Sequence, residues 1–185
     1  INSINHFEDN ALIIAVRQGN INITKYLVEN TKINIKHKSK DGNALFQTLY
    51  INNKELFKYL LSLNKINLKE KNHKEESLYH IILNKGFEDL FHLLLEKKLS
   101  LNVLDENNQN VLFSLVDGYH IHQDYMLVEY VLEHINKKIL NTKNKNKLNI
   151  IEYIDAKANE QKSIIMKDHV KNQLAPLKNT IKYSM

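Results

Sequence analysis

Three potential metal ligands alternate in one short stretch of this 185-residue sequence, His120-x-His122-x-Asp124. On an extended loop alternate side chains point the same way, and imidazole and carboxylate both bind zinc. Three such groups also meet by chance in polar loops, and the expectation is a loop that holds no metal. Other chemistry is harder to assemble. There is no glycine-rich phosphate loop, nucleophile elbow or metalloprotease helix motif. The serines keep no positional relation to a histidine and an acid. With no cysteine, thiolate zinc sites, cysteine nucleophiles and disulfides are excluded. No catalytic residue and no cofactor are expected, and the chain is read as something other than an enzyme.

Lysine makes the second chemical pattern. Lys36, Lys38 and Lys40, then Lys69, Lys71 and Lys74, then Lys143, Lys145 and Lys147 recur at nearly equal offsets. Spacing by two puts side chains on one side of an extended strand. Stacking would align Lys38, Lys40, Lys71, Lys74 and Lys145 into a basic ridge, interrupted by Asp105 and Glu106. Such a ridge would seek an acidic protein, nucleic acid or an anionic membrane. The favoured reading is plainer: lysines guard exposed extended edges against aggregation. A formal charge of +5 is too mild to decide between them.

What positions these residues is a repeat. Asn10-Ala11-Leu12, Asn43-Ala44-Leu45, Asn110-Val111-Leu112 and Asn149-Ile150-Ile151 share one pattern, with Ser77-Leu78-Tyr79-His80 as a variant. The anchors Leu12, Leu45, Tyr79, Leu112 and Ile151 are spaced 33, 34, 33 and 39 residues apart. A second marker, Ile33-Asn34, Ile66-Asn67, Leu101-Asn102 and Leu140-Asn141, runs in step. Between them lie amphipathic stretches such as Leu56-Phe57-Lys58-Tyr59-Leu60-Leu61, whose apolar spacing gives a broad buried helical stripe. Each unit therefore reads as a short helix, a tight turn, a longer helix and an extended polar hairpin. Helix pairs are expected over 10–30, 43–64, 77–98 and 110–135. Asn and Ser at the head of each first helix are good N-caps. Gly19, Asn52 and Gly86 fall where a left-handed turn residue is needed. A composition of 43% hydrophobic and 25% charged residues supports a packed core. No single unit can bury its stripe, so neighbours must stack.

The period and motif resemble the ankyrin-repeat family. The run from Asn10 to Gly19 follows the family's first helix, Ser77-Leu78-Tyr79-His80 keeps its His, and Asp105 to Asn110 follows its turn with Asn108 in the Gly place. The family's Thr and Pro are lost in every unit. The resemblance implies an all-α solenoid of stacked helix pairs joined by β-hairpin loops. The array is expected over residues 1–155, with a helical cap and tail over 156–185 that Pro176 ends. His80 is then structural, bonded within the turn network, and His92 lies on the polar side of a helix.

Ile1-Asn2 stands 32 residues before Ile33-Asn34 and reads as the last piece of an earlier hairpin, in a chain that starts within a longer protein. The fourth unit carries extra residues, Gly118 to Tyr125, read as an inserted loop. In this family a concave face is built from hairpin tips and the ends of the first helices. Here that face would hold Arg17, Gln18, Tyr50, Ile51, Asn84, Lys85, and Tyr119 with His120 on the inserted loop. The expected role is recognition of another protein by a monomeric module. Nucleic acid or anionic membrane on the ridge is one rival; service to an enzyme domain upstream is the other. The Lys/Asn/Ile-heavy composition resembles ankyrin effectors of intracellular microbes, which implies an intracellular setting, the host cytoplasm for a secreted effector.

Overall fold

A computed structural model describes residues 1–122, 125–160 and 175–182. The chain divides into two units, Ile1–Leu78 and Tyr79–Met185. The first unit holds two complete helix pairs, α1 (Ala11–Arg17) with α2 (Ile21–Asn30) and α3 (Ala44–Tyr50) with α4 (Lys54–Ser62). Asn10 and Asn43 cap α1 and α3, accepting from the backbone N–H of Ile13 and Leu45. Asn20 and Asn53 cap α2 and α4 in the same way. Between the helices of each pair the chain turns through Gly19 (φ 68°) and Asn52 (φ 57°), the left-handed positions expected there. Leu12, Ile13, Val16, Leu45, Phe46, Leu49, Leu56, Phe57 and Leu60 fill the core.

The second unit repeats the plan. Here α5 (Leu78–Lys85, its first residue at the edge of the first unit) is followed by α6 (Glu88–Glu96), with the Tyr79 and Phe91 rings meeting edge-on at 5.7 Å, and α7 (Val111–His122) is followed by α8 (Tyr125–His134). A 3₁₀ turn, Lys137–Asn141, leads on to α9 (Ile150–Glu160). Gly86 (φ 65°) makes the turn between α5 and α6. Asn149 heads α9 with a capping box: its side chain accepts from the N–H of Glu152, whose carboxylate accepts the N–H of Asn149. Burial in this last repeat falls on Ile150 and Ile154, four residues apart on one helical face, while Ile151 is half-buried. All four anchors of the second marker, Ile33, Ile66, Leu101 and Leu140, are buried. Each unit is thus an all-α arrangement of repeated helices, with one small two-stranded ladder among the described residues.

Two expectations need correction. The residues from Gly118 to His122 are not an inserted loop; they extend α7 to 12 residues. Gly118 is there because a Cβ would lie 2.1 Å from the carbonyl oxygen of Asn84, so its bare backbone lets α5 and α7 approach. Pro176 stands in the first turn of a helix over Ala175–Lys182, where a missing N–H costs nothing; the tail that it was expected to end falls on residues 161–174, outside the described ones. The connections, finally, contain less strand than hairpins would. Among the described residues only Lys38–Ser39 and Gly42–Asn43 form a ladder, with Leu104 and Asn110 making a single bridge. In the other loops an Asn or Asp side chain satisfies the amides that a strand partner would have bonded.

Two substitutions test this packing. Leu60→Ala and Leu94→Ala, both at fully buried positions, each lower the unfolding free energy in urea by about 2–5 kcal/mol. Gly118→Ala gives a sharper sign. An unhindered Gly→Ala in a helix stabilises by about 1 kcal/mol; here overpacking against Asn84 destabilises by about 1–3 kcal/mol.

Candidate recognition surface

The surface that sequence reasoning singles out lies on the ends of the first helices and on the loops that precede them. Those loops are built alike. Asn5 accepts backbone N–H bonds from Phe7 and Asp9, Asn72 from Lys74 and Glu76, and Asp105 from Asn107 and Gln109. Asn144 takes the N–H of Leu148. Each loop then passes through a left-handed residue: Glu8, Glu75, Asn108 and Lys147, two residues before the next helix cap, and Gly42 in the second repeat. Asn108, placed by its family position, is the one non-glycine among these that sequence flagged. An ordinary side chain in that conformation costs about 1–2 kcal/mol, and neither Glu nor Lys announces it.

In the first unit Arg17 holds three neighbours. Its guanidinium pairs with both oxygens of buried Asp9 (3.1 and 3.2 Å), reaches Asp41 at 3.6 Å and donates to the Gln47 side chain at 3.3 Å. Asp41 in turn meets His73 at 3.1 Å. Arg17 thus ties its own repeat to the next while its side chain stays 37% exposed. Tyr50, at the end of α3, is 36% exposed. Its hydroxyl accepts from the Asn72 amide at 2.9 Å, and the same amide nitrogen donates to Glu76 at 2.7 Å. Burial, with the nearby carboxylates of Glu76 and Asp41, pushes the Tyr50 hydroxyl up to about 12. Gln18 is exposed and Ile51 half-buried, and both cap their helices. A Cβ at Gly19 would meet the Ile51 side chain at 3.7 Å, ordinary contact distance.

In the second unit Asn84 is exposed, and its backbone carbonyl faces Gly118. Lys85 is half-buried with its ammonium 6.0 Å from the Phe87 ring, and burial lowers its pKa. Tyr119 and His120 belong to α7, not to a loop. His122, of the same sequence pattern, also falls within the span of α7. Asp124 lies outside the described residues. His80 is fully buried and bonds the carbonyl of Gln109 at 3.2 Å, the turn-network role that the family pattern implies. His92 approaches Glu88 at 3.7 Å and meets the Tyr130 ring edge-on at 4.6 Å.

The lysines do not stand alone. Lys38 pairs with Glu70 of the next loop at 3.3 Å, and Lys71 with Glu75 at 3.3 Å. Lys40 and Lys74 are exposed, as is Lys145, whose backbone N–H bonds Asn107. Between the loops of the first unit runs an open groove of about 690 Å³, where Lys38, Lys40, Lys69 and Lys71 face Glu8, Asp41, Glu70 and Glu75. Four cations against four anions leave no net charge. Sequence reasoning counted the lysines in register and missed the acids. The signal was present, since Glu70 and Glu75 flank Lys71 in the same loop.

A further polar cluster in the second unit was not anticipated. The Tyr153 hydroxyl donates to Asp117 at 2.7 Å, and Lys157 pairs with the same carboxylate at 3.2 Å. Burial, then Asp117, raises the Tyr153 pKa to about 12. Burial alone would lower the Lys157 pKa, but Asp117 outweighs it and the net shift is upward. The Tyr79 hydroxyl is buried without a hydrogen-bond partner among the described residues, and burial raises it to about 12.

Among the described residues no group of His, Cys, Asp and Glu is placed to hold a metal ion, and no helix is long and apolar enough to cross a membrane. Residues 1–75 match the family profile described as ankyrin repeats, in three copies. No curated protein matches the chain.

The tyrosines set an alkaline limit. Tyr50, Tyr79 and Tyr153 are raised from 10.0 to about 12, so the folded state keeps protons that the unfolded chain has lost. Stability from this source is intact below pH 10 and falls as pH rises from about 10 to 12. Urea midpoints measured across that range, beside the tyrosinate absorbance, give the check. A midpoint unchanged to pH 12 would contradict it.

Proposed function

We propose that this chain, whose residues 1–75 match ankyrin repeats, recognises another protein through the loops and first-helix ends of its repeats. Ankyrin repeats generally mediate protein–protein interaction and are typically non-catalytic. The observation that carries the reading is Tyr50, an aromatic side chain still open to solvent and already fixed at its hydroxyl by Asn72. A fixed aromatic loses little entropy on contact, and Tyr and Arg carry much of the energy of protein interfaces. Arg17 is held in the same unit by Asp9 and Asp41. Gln18 and Ile51 flank them, with Asn84, Lys85, Tyr119 and His120 as the candidates of the second unit.

The lysine ridge is the weaker candidate. Lys38 and Lys71 are engaged by Glu70 and Glu75, and exposed charges are screened within roughly 8 Å at physiological salt. Such charges speed encounter more than they hold a complex. We also read the chain itself as non-catalytic, because the buried asparagines among its described residues serve capping and loop closure. The repeat array is assigned to residues 1–155 and the cap and tail to 156–185.

With a photoreactive phenylalanine analogue at position 50, ultraviolet light crosslinks the chain to its partner protein. Against that partner, Tyr50→Ala and Tyr119→Ala raise the dissociation rate about tenfold or more, the size of a hot-spot loss. Glutamate at Lys38, Lys71 and Lys145 slows association, an effect that fades in salt. Binding at high salt that survives both tyrosine changes but not the lysine changes would move the interface to the ridge.

A further inference from the structure

The groove between the loops of the first unit is neutral only in sum. Much of its charge is already engaged: Lys38 with Glu70, Lys71 with Glu75, and Asp41 with Arg17 and His73. Three charged side chains of its lining have no ion-pair partner among the described residues: Lys40, Lys69 and Glu8. All three are exposed, and each stands on fixed backbone. Lys40 is in the turn that joins Lys38–Ser39 to Gly42–Asn43 in the ladder. The N–H of Lys69 donates to the Asn67 side chain at 3.0 Å. Glu8 gives its N–H to the Asn5 carbonyl at 2.9 Å, and its own carbonyl oxygen meets His37 Nε2 at 2.6 Å. The groove also adjoins the surface around Arg17 and Tyr50, because two of its lining residues hold that surface. Asn72 bonds the Tyr50 hydroxyl, and Asp41 pairs with Arg17.

We propose that this groove seats a segment of the partner protein in which carboxylates stand beside a basic side chain. The carboxylates meet Lys40 and Lys69, and the basic group meets Glu8. The inference rests on the reading of these repeats as a protein-recognition surface, and it names the chemistry recognised there. A polyanion such as nucleic acid fits less well. Glu8, Asp41, Glu70 and Glu75 line the same walls, so its attraction to the lysines is offset by repulsion along its length. A mixed segment meets each unpaired charge with its opposite and leaves the Lys38–Glu70 and Lys71–Glu75 pairs closed. A segment of reversed signs is rejected by like-charge contact at all three positions. Fixed backbone beneath each charge keeps the ordering cost of contact low.

The probes are three fluorescein-labelled peptides of equal length: one repeating Glu-Glu-Lys, one of glutamate alone and one repeating Lys-Lys-Glu. Binding is read by fluorescence polarisation at about 0.3 M salt, where charges outside the groove are largely screened. The Glu-Glu-Lys peptide binds most tightly. Lys40→Glu with Lys69→Glu weakens it about tenfold and leaves the urea midpoint in place, since neither lysine is paired. The same charge change at Lys143 and Lys145, exposed lysines of the second unit, has no effect. Adding Glu8→Lys to the first pair turns the preference to Lys-Lys-Glu. Equal affinity for the three peptides, tighter binding of glutamate alone, or an equal loss on changing Lys143 and Lys145 would overturn the proposal. A partner crosslinked through position 50 but indifferent to Lys40 and Lys69 would overturn it too, and would leave the Tyr50 reading standing. Groove-specific peptide binding beside an empty crosslink at position 50 would do the reverse.

Discussion

An amide side chain carries one acceptor and one donor group, and at positions 10, 43 and 110 both are spent in the protein interior. The oxygen of each asparagine accepts a first-turn N–H of the helix it caps. The nitrogen donates to the backbone carbonyl of the connection that follows: Asn34 at 3.1 Å, Asn67 at 2.9 Å and Ile139 at 2.9 Å. One side chain therefore starts a helix and fixes where the chain crosses to the next repeat. All three are buried, so neither bond competes with water, and losing the amide would strand a helix N–H and a carbonyl together. Unmet buried groups cost about 1–3 kcal/mol each. The first helices, the loops ahead of them and the left-handed residues that close those loops all take their positions from this joint.

The joint was half legible in the sequence. Asn10, Asn43 and Asn110 were readable as caps, and the Ile-Asn marker was readable as a second periodic feature. That the two are bonded to each other, 24 residues apart in the first two cases, is a matter of three dimensions. Gly19, Asn52 and Gly86 were readable because Gly and Asn tolerate positive φ. Glu8, Glu75 and Lys147 adopt it too, and nothing in their chemistry says so; the cost is offset by the Asx loops around them. Gly118 was misread for a related reason. Glycine suggests a turn, but its other use is to let two backbones touch, and the periodicity of one segment does not reveal its neighbour.

The candidate surface was legible as a set of positions and much less as a set of partners. Arg17 and Tyr50 were placed by their offsets within the repeat. Their state depends on Asp9, Asp41, Gln47 and Asn72, which come from other segments. Lysines in register suggested a field of one sign, whereas Coulomb interactions act on all neighbours, and Glu70 comes from the loop after that of Lys38. Regular spacing along a chain predicts which side chains share a face; it does not predict the sum of charge on that face.

The buried asparagine joint also bears on how the first unit would yield under mechanical load. Its repeats are clipped to one another at discrete points, Asn2 to the Lys32–Asn34 segment, Asn10 to Asn34 and Asn43 to Asn67. A pulling force on the chain meets these clips in sequence, each guarding one helix pair, and once a clip opens its pair loses both its cap and its anchorage. Extension then proceeds in steps about one repeat long, and a relaxed chain can close them again from whichever repeat remains folded, since nearest-neighbour contact is all that each needs. The amide that sets the register in the resting protein would in this sense act as its latch under tension.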